Sequence, residues 1–406
     1  AQIIHPDLYE ILAHTEGVVV FHEQVIQIIA TMTGVSLATA DEKRRSLGDR
    51  AGQQEVCDWF FPAATAKGYE LPIIQEIWDV LRAFASFGFC KAHAAAFALP
   101  TYQSAWLKTH YPAAFLAGVL THDPGMYPKR LIVDEARQMG ITIAPIDVNA
   151  SDAVYRVEDH GNAIRIALAT VSGISDGEVQ SIIDGRPYID LNDFVRRSGC
   201  STPVTESLIL TGGFDSLHAD VNRRDLLLHF SDLQKSPSAA VSGAQMNLGF
   251  EPPALISSGL PAMTASESVK YEIDRLGIDM SRHLIEFYGE FLNAIGAVRS
   301  SDLLKQRSQS SVLVAGIKVA MQTPPVRSGK RVIFLTLDDG YGCSDSTFFT
   351  DVQSEYANVL YSTSLLLVRG VTRRTGARGI SIRATGAWDL RAAYESWSAK
   401  QSTLAI

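Results

Sequence analysis

The stretch Val312-Leu-Val-Ala-Gly-Ile-Lys-Val-Ala320 switches the sequence from a helical period to a period of two. Four more segments continue it: Arg331-Val-Ile-Phe-Leu-Thr-Leu337, Ser346-Thr-Phe-Phe349, Ser364-Leu-Leu-Leu-Val-Arg-Gly-Val371 and Gly379-Ile-Ser-Ile-Arg383. Pro-Pro, Asp-Asp-Gly and Thr-Gly turns separate them. Five short strands within about 75 residues predict a small closed barrel. The two acids of Asp338-Asp339-Gly340 read as a hairpin turn rather than a Mg²⁺ site, because Gly follows them at a strand end.

Upstream of the barrel the chain reads as helical. His22 to Thr33 puts Val25, Ile28, Ile29 and Met32 on one face, and Ile73 to Phe87 repeats the pattern through Ile77, Val80, Leu81 and Phe84. Thr39-Ala-Asp-Glu42 has capping-box form and predicts a helix carrying Arg44 and Arg45, stopped by Gly48. A break at Phe87-Gly-Phe-Cys-Lys-Ala-His93 precedes a long apolar helix from Ala94 to Tyr111, expected to bend at Pro100. Pro112 suits the first position of the next helix. Val154 to Val157 and Ile164 to Leu168 flank Glu-Asp-His-Gly-Asn and predict a β-hairpin. Two short helical units follow, at Val171–Ile183 and Thr202–Phe214. The expected organisation is α+β and multidomain. Residues 1–150 form a helical segment and 151–234 a paired helix-hairpin-helix domain with a small β-hairpin. A flexible linker rich in Ser, Ala, Pro and Gly covers 235–262, and a helical connector 263–300. The barrel occupies 301–390 and a tail 391–406. A solvated helix is expected from Ser266 to Leu276, with Glu267, Lys270, Glu272, Asp274 and Arg275 outward.

Composition removes several classes. The 406 residues carry 36 Lys+Arg against 44 Asp+Glu, a net charge of −8, which argues against a dedicated DNA-binding protein while leaving room for a local basic surface. No window reaches the ~18 consecutive apolar residues of a membrane helix. Cys57, Cys90, Cys200 and Cys343 are far apart, with no CxxC pair, so reduced thiols of a cytoplasmic protein are expected. Ten His show no HExxH or paired i, i+4 spacing, and neither GxSxG nor GxxxxGK[ST] occurs. No metal site is therefore assigned. The opening Ala-Gln-Ile-Ile-His is not a signal peptide, and the expectation is an internal cut in a longer protein.

Four groups of residues could carry function. Arg44, Arg45, Lys91 and His93 supply cations near helix ends that suit a polyphosphate, against the alternative of solvated charged turns. Gly173, Ser175 and Gly177 form a hairpin resembling a helix-hairpin-helix, where backbone N–H groups meet a duplex phosphate. Ser at the middle position resists positive φ, and an αα-hairpin built for stability is the alternative. Between 301 and 385 eleven Lys and Arg face six Asp and Glu, giving +5 inside an acidic chain. Arg331, Arg373, Arg374 and Arg378, with Phe334, Phe348, Phe349 and Tyr341 as stacking surfaces, fit single-strand binding by an OB-fold. The alternative places Phe334 and Phe348 in the core. Finally, Gln245, Leu248 and Phe250 loosely resemble the peptides that dock into bacterial sliding clamps.

The order of these parts resembles a known family. Gly88-Phe-Cys-Lys-Ala-His-Ala-Ala-Ala-Phe-Ala-Leu-Pro-Thr-Tyr-Gln-Ser-Ala-Trp-Leu-Lys-Thr-His-Tyr-Pro112 resembles the fingers segment of bacterial C-family DNA polymerases, the polymerase III alpha-subunit family. Phe21-His-Glu-Gln-Val25 and Arg44-Arg-Ser-Leu-Gly48 are similar to two further fingers motifs. Lys270 to His283 resembles the family's connector, and Thr336-Leu-Asp-Asp-Gly340 its OB strand. Replicative members read Phe-Asn-Lys-Ser-His-Ser where this chain has Cys90, Ala92 and Ala94, so the resemblance is to the error-prone translesion paralogue. It implies template-directed synthesis from dNTPs with Mg²⁺ held by a palm domain before Ala1, and a fragment inactive by itself. Arg44, Arg45, Lys91 and His93 would then line the nucleotide phosphates. It also implies a primer-template, a catalytically inactive Y-family homologue as partner, and an indirect link to the sliding clamp. The competing class is a non-enzymatic repair scaffold.

Overall fold

The computed structural model describes residues 3–84, 89–123, 125, 127–235, 254–324 and 331–404. The chain divides into two compact units, Ala1–Trp106 and Leu107–Ile406.

In the first unit a short α1 (Tyr9–Leu12) precedes α2 (His22–Thr33), α3 (Leu37–Ser46), α4 (Arg50–Ala66), α5 (Leu71–Phe84) and the start of α6 (Lys91–His110). The expected face of α2 is buried in full, and Ile28, Ile29 and Met32 join Leu47, Phe60 and Leu81 in one core. α3 starts three residues before the Thr39 capping box predicted: Ser36 is the N-cap and accepts the Thr39 N–H at 3.2 Å. Ser and Thr are both good caps, and the helix starts from the first available one. Pro100 lies inside α6 without ending it.

The second unit continues with α7 (Pro112–His122), where Pro112 holds the first helical position, and α8 (Lys129–Gln138). β1 (Thr142–Ala144), β2 (Arg156–Glu158) and β3 (Ala163–Arg165) make a three-stranded sheet. β2 and β3 are the predicted hairpin, cut shorter at both outer ends, while β1 lies parallel to β3 and is too short to show a period. α9 (Asp176–Asp184), α10 (Leu191–Arg197), α11 (Thr202–Thr211) and α12 (Arg223–Lys235) follow. Leu116 and Val133 share one apolar core with Ile164, Phe194, Leu208 and Ile278. Residues 113–148 thus pack with the hairpin domain, and the expected boundary at 150 does not separate two cores.

The expected linker is partly anchored. Ser258 donates its N–H to Asp225 at 3.0 Å, and Asn222 Nδ2 donates to the Leu260 carbonyl at 3.1 Å. α13 (Ala265–Leu276) begins with a Thr264–Glu267 capping box, and Arg224 reaches Glu267 at 2.8 Å. Glu272 is not solvated as the charge pattern implied. It is buried, accepts the Ser281 N–H at 2.9 Å, and burial raises its carboxyl above the usual range.

After α14 (Gly289–Ala294) comes the barrel: β4 (Ser311–Gln322), β5 (Ile333–Asp338), β6 (Cys343–Phe348), α15 (Thr350–Ser362), β7 (Leu365–Arg374) and β8 (Ile380–Asp389). It closes in the order β4-β5-β6-β8-β7, with β6 and β8 parallel and the other pairs antiparallel. Five strands in that order, with a helix between the third and fourth, make an OB-fold. The predicted strands are all present. The expected tail is instead α16 (Leu390–Leu404), whose Tyr394 and Trp397 rings sit 5.9 and 5.5 Å from Phe291.

Candidate functional site

Three sequence-distant stretches of the first unit meet at the start of α2. Phe21 and Phe89 form a parallel bridge, and the His22 N–H donates to the Phe89 carbonyl at 2.9 Å. Buried Gln24 fixes this turn by accepting the Val20 and Phe21 N–H groups at 2.8 and 3.0 Å. Glu23 caps α6, accepting the Lys91 N–H at 2.9 and 3.1 Å. Partial burial pushes the Glu23 carboxyl up, but the Lys91 and Ala92 amides and the Cys90 thiol outweigh it, so the group stays below its ordinary value.

The four predicted phosphate ligands separate into two pairs. Arg44 lies 3.4 Å from His22 Nδ1, and the Lys91 ammonium sits 5.8 Å above the Phe21 ring and 3.4 Å from His14 Nε2. Both therefore approach the Phe21-His22 turn. Arg45 is 71% exposed and bonds Asp41 at 2.6 Å, while the His93 ring stands among Phe89 and Phe97 at 5.7 and 4.5 Å. Asp41 takes both arginines, and the Arg44 bond chiefly holds its carboxyl below the ordinary range. His14, His22, Glu23 and Asp41 escaped the sequence reading. The Phe21 motif was the available signal for two of them, and their roles depend on tertiary pairing with Lys91 and Arg44.

In the hairpin domain, Gly173 adopts φ +80°, Ser175 is the N-cap of α9, and Gly177 lies within the helix. The Ser175 N–H does not point into free space. Glu178 Oε2 accepts it at 2.9 Å and the Ser175 hydroxyl at 2.8 Å, while Oε1 accepts the Ser201 N–H and hydroxyl at 2.9 and 2.7 Å. Ser201 is the N-cap of α11. One carboxylate thus bridges two helix starts, and those bonds, the Ser201 hydroxyl first, pull Glu178 down to about 2. Nearby cations are also engaged: Arg186 bonds the Val148 carbonyl, and Arg197 bonds Asp193.

On the barrel, Arg331 precedes β5, Arg373 and Arg374 end β7, and Arg378 lies in the β7–β8 loop, all four exposed. A cleft of about 540 Å³ is lined by Thr347, Phe349, Arg373, Ser381 and Arg383, so of the four predicted arginines only Arg373 borders it. Arg383 stacks 5.4 Å from the Phe349 ring centre. Phe334, Tyr341 and Phe349 are exposed, whereas Phe348 is fully buried and belongs to the core. Gln245, Leu248 and Phe250 lie outside the described residues. Among the described residues, the group of His, Cys, Asp and Glu close enough to surround a metal is Asp134, Asp279 and His283.

Residues 1–68 match the bacterial DNA polymerase III alpha subunit finger domain, and residues 140–226 match the helix-hairpin-helix motif. An error-prone DNA polymerase of Symbiobacterium thermophilum is 32% identical over 93% of this chain and 39% of its own length. DNA polymerase III subunit alpha of Vibrio cholerae is 30% identical over 97% of this chain and 36% of its own. An error-prone DNA polymerase of Bdellovibrio bacteriovorus is 29% identical over 92% and 37%. The chain spans well under half the length of these relatives. Over that span, from finger domain through helix-hairpin-helix to OB-fold barrel, it belongs to the bacterial C-family DNA polymerases, the polymerase III alpha-subunit family.

Proposed function

We propose that this chain is the fingers, helix-hairpin-helix and OB-fold part of an error-prone DNA polymerase that acts in translesion synthesis and damage-induced mutagenesis. The observation that carries the reading is the junction of the α2 and α6 starts, where Arg44 and Lys91 flank one turn. Two cations at one turn suit a triphosphate, neutralising its charge and that of the leaving pyrophosphate. It is these side chains that would meet it, since Glu23 already holds the α6 N-terminal amide. Arg45 and His93 are second-rank candidates, since Arg45 is paired outward and His93 stacks among phenylalanines. Cys90, Ala92 and Ala94 leave few fixed polar side chains at this helix start, and we connect that to loose nucleotide selection.

Mg²⁺ would accompany the dNTP on paired acids of the part of the relatives that this chain does not span. The buried Asp134 group does not fit that role, because a nucleotide cannot reach it. Single-stranded template suits the cleft lined by Phe349, Arg373 and Arg383. The Gly173–Gly177 hairpin is a poorer phosphate ligand while Glu178 occupies it. A catalytically inactive Y-family homologue and an indirect clamp link complete the proposed complex.

The test is Arg44→Ala and Lys91→Ala in the full-length polymerase. Each should lower dNTP incorporation on the order of tenfold to a hundredfold with the protein folded, and the isolated chain should extend no primer. Unchanged incorporation would instead favour the non-enzymatic scaffold.

A further inference from the structure

Asp134 on α8, Asp279 and His283 after α13, and Asp338 at the end of β5 form a buried polar cluster within the second unit. It sits where the connector leaves one core for another: Ile278 and Met280 belong to the helical core, and Ile285 to the flank of the barrel. The side chains of Asp134, His283 and Asp338 are no more than 2% exposed. His283 Nδ1 accepts the Ile285 N–H at 3.2 Å, which places the ring hydrogen on Nε2. That nitrogen hydrogen-bonds Asp338 Oδ2 at 3.3 Å and lies 3.5 Å from Asp134 Oδ2 without bonding it.

Asp134 Oδ1 accepts from Arg137 at 2.5 Å, but the buried Oδ2 has no hydrogen-bond partner. Its neighbour within hydrogen-bond reach is the Asp338 carboxyl, itself an acceptor. What two facing acceptors lack is a hydrogen. A divalent cation could also fill such a gap, since Asp134, Asp279 and His283 lie close enough to ligate one. The imidazole, however, turns its N–H rather than a lone pair toward the carboxyls, which suits a proton and not a metal.

We propose that Asp134 carries a proton and donates it to Asp338, making a clasp between α8, the connector and the barrel turn that loosens when the proton leaves. The other groups around it are Arg130 and Arg137 from α8, Asp279 and His283 from the connector, and Cys343 from the barrel side, while Asp339 and Asp345 are turned to Ser300 and Thr336. Burial raises the Asp134 carboxyl from 3.8 to about 7, helped by Asp279 and Asp338 and opposed by His283 and Arg137. Asp338 moves the other way: burial pushes it up, but His283 and the Gly340 N–H outweigh that and keep it ionised. The closed form therefore holds a proton that the open form releases at the ordinary carboxyl value. Opening becomes easier as pH rises from about 4 to about 7 and levels off above that.

Hydrogen exchange on the intact chain, corrected for intrinsic rates, tests this between pH 5 and pH 8. Protection of the amides in 338–342 and of Ile285 should fall by up to about tenfold per pH unit until near neutrality, then level. Asp134→Asn, whose amide donates at every pH, should flatten the profile. A variant profile parallel to the parent would overturn the proposal. So would retention of one equivalent of Mg²⁺, Mn²⁺ or Zn²⁺ that the substitution abolishes. Should the variant not fold, the parent's infrared spectrum decides: a protonated-carboxyl band must titrate away near neutral pH, and its absence refutes the clasp.

Discussion

Glu178 shows how much one side chain can decide. Its carboxylate closes the α9 capping box and crosses to the start of α11 through Ser201. Glu178→Ala should lower stability by about 1 kcal/mol, the usual worth of a cap, seen as a small fall in melting temperature. Because its folded value lies below the ordinary 4.5, that contribution is present above about pH 4.5 and lost as pH falls toward 2. The same change frees the Ser175 and Ser201 amides and should raise duplex-DNA affinity in filter or anisotropy binding, with a steeper salt dependence. The Ser175-Asp-Gly-Glu178 spacing has capping-box form, but the stretch reads first as a phosphate-binding hairpin. The partner Ser201 has no local signal, since it is brought in by the tertiary pairing of two hairpins. Arg44 and Lys91 differ from Glu178 in standing within family motifs that the sequence displays. Their motifs are local, whereas the partners around them, His22 beside Arg44 and His14 and Glu23 beside Lys91, come from distant stretches, and nothing local to either cation signals them.

Among elements, the barrel was the most readable because alternation and turn residues act within each strand. The sheet still needs two close approaches that the pattern does not display. A Cβ at Gly316 would lie 2.6 Å from the Asp338 carbonyl oxygen, and one at Gly370 would lie 2.4 Å from that of Arg383, beside the β7–β8 bulge. Gly370→Ala should therefore cost about 1–3 kcal/mol by overpacking, measured by chemical denaturation, with Gly118→Ala, where an added methyl meets open space, as comparison. α15 and α16 escaped notice because their apolar faces are narrow and half-covered. Tyr394 and Trp397 mark α16 only once Phe291 is seen against them. Replacing Arg373, Arg374 and Arg378 together should weaken single-strand binding and flatten its salt dependence, each phosphate left without its arginine lowering the slope by somewhat under one. Binding that is unchanged would turn that face toward a protein partner.

Across the whole chain, domain order was readable and domain edges were not. Residues 113–148 look helical in isolation, and only their burial with Ile164 and Leu208 assigns them to the hairpin core. The connector hides its character in the same way, with Glu272 drawn inward although its neighbours are charged. The long helix α6 buries none of its side chains, and Phe97, Leu99 and Tyr102 are 58, 62 and 70% exposed. A strip of this kind in water favours self-association. Purified by itself, the chain should scatter more light as concentration rises and should brighten a hydrophobic dye. Phe97→Lys with Tyr102→Lys should quiet both signals while leaving the melting temperature alone, which makes that helix the first place to engineer for a well-behaved sample.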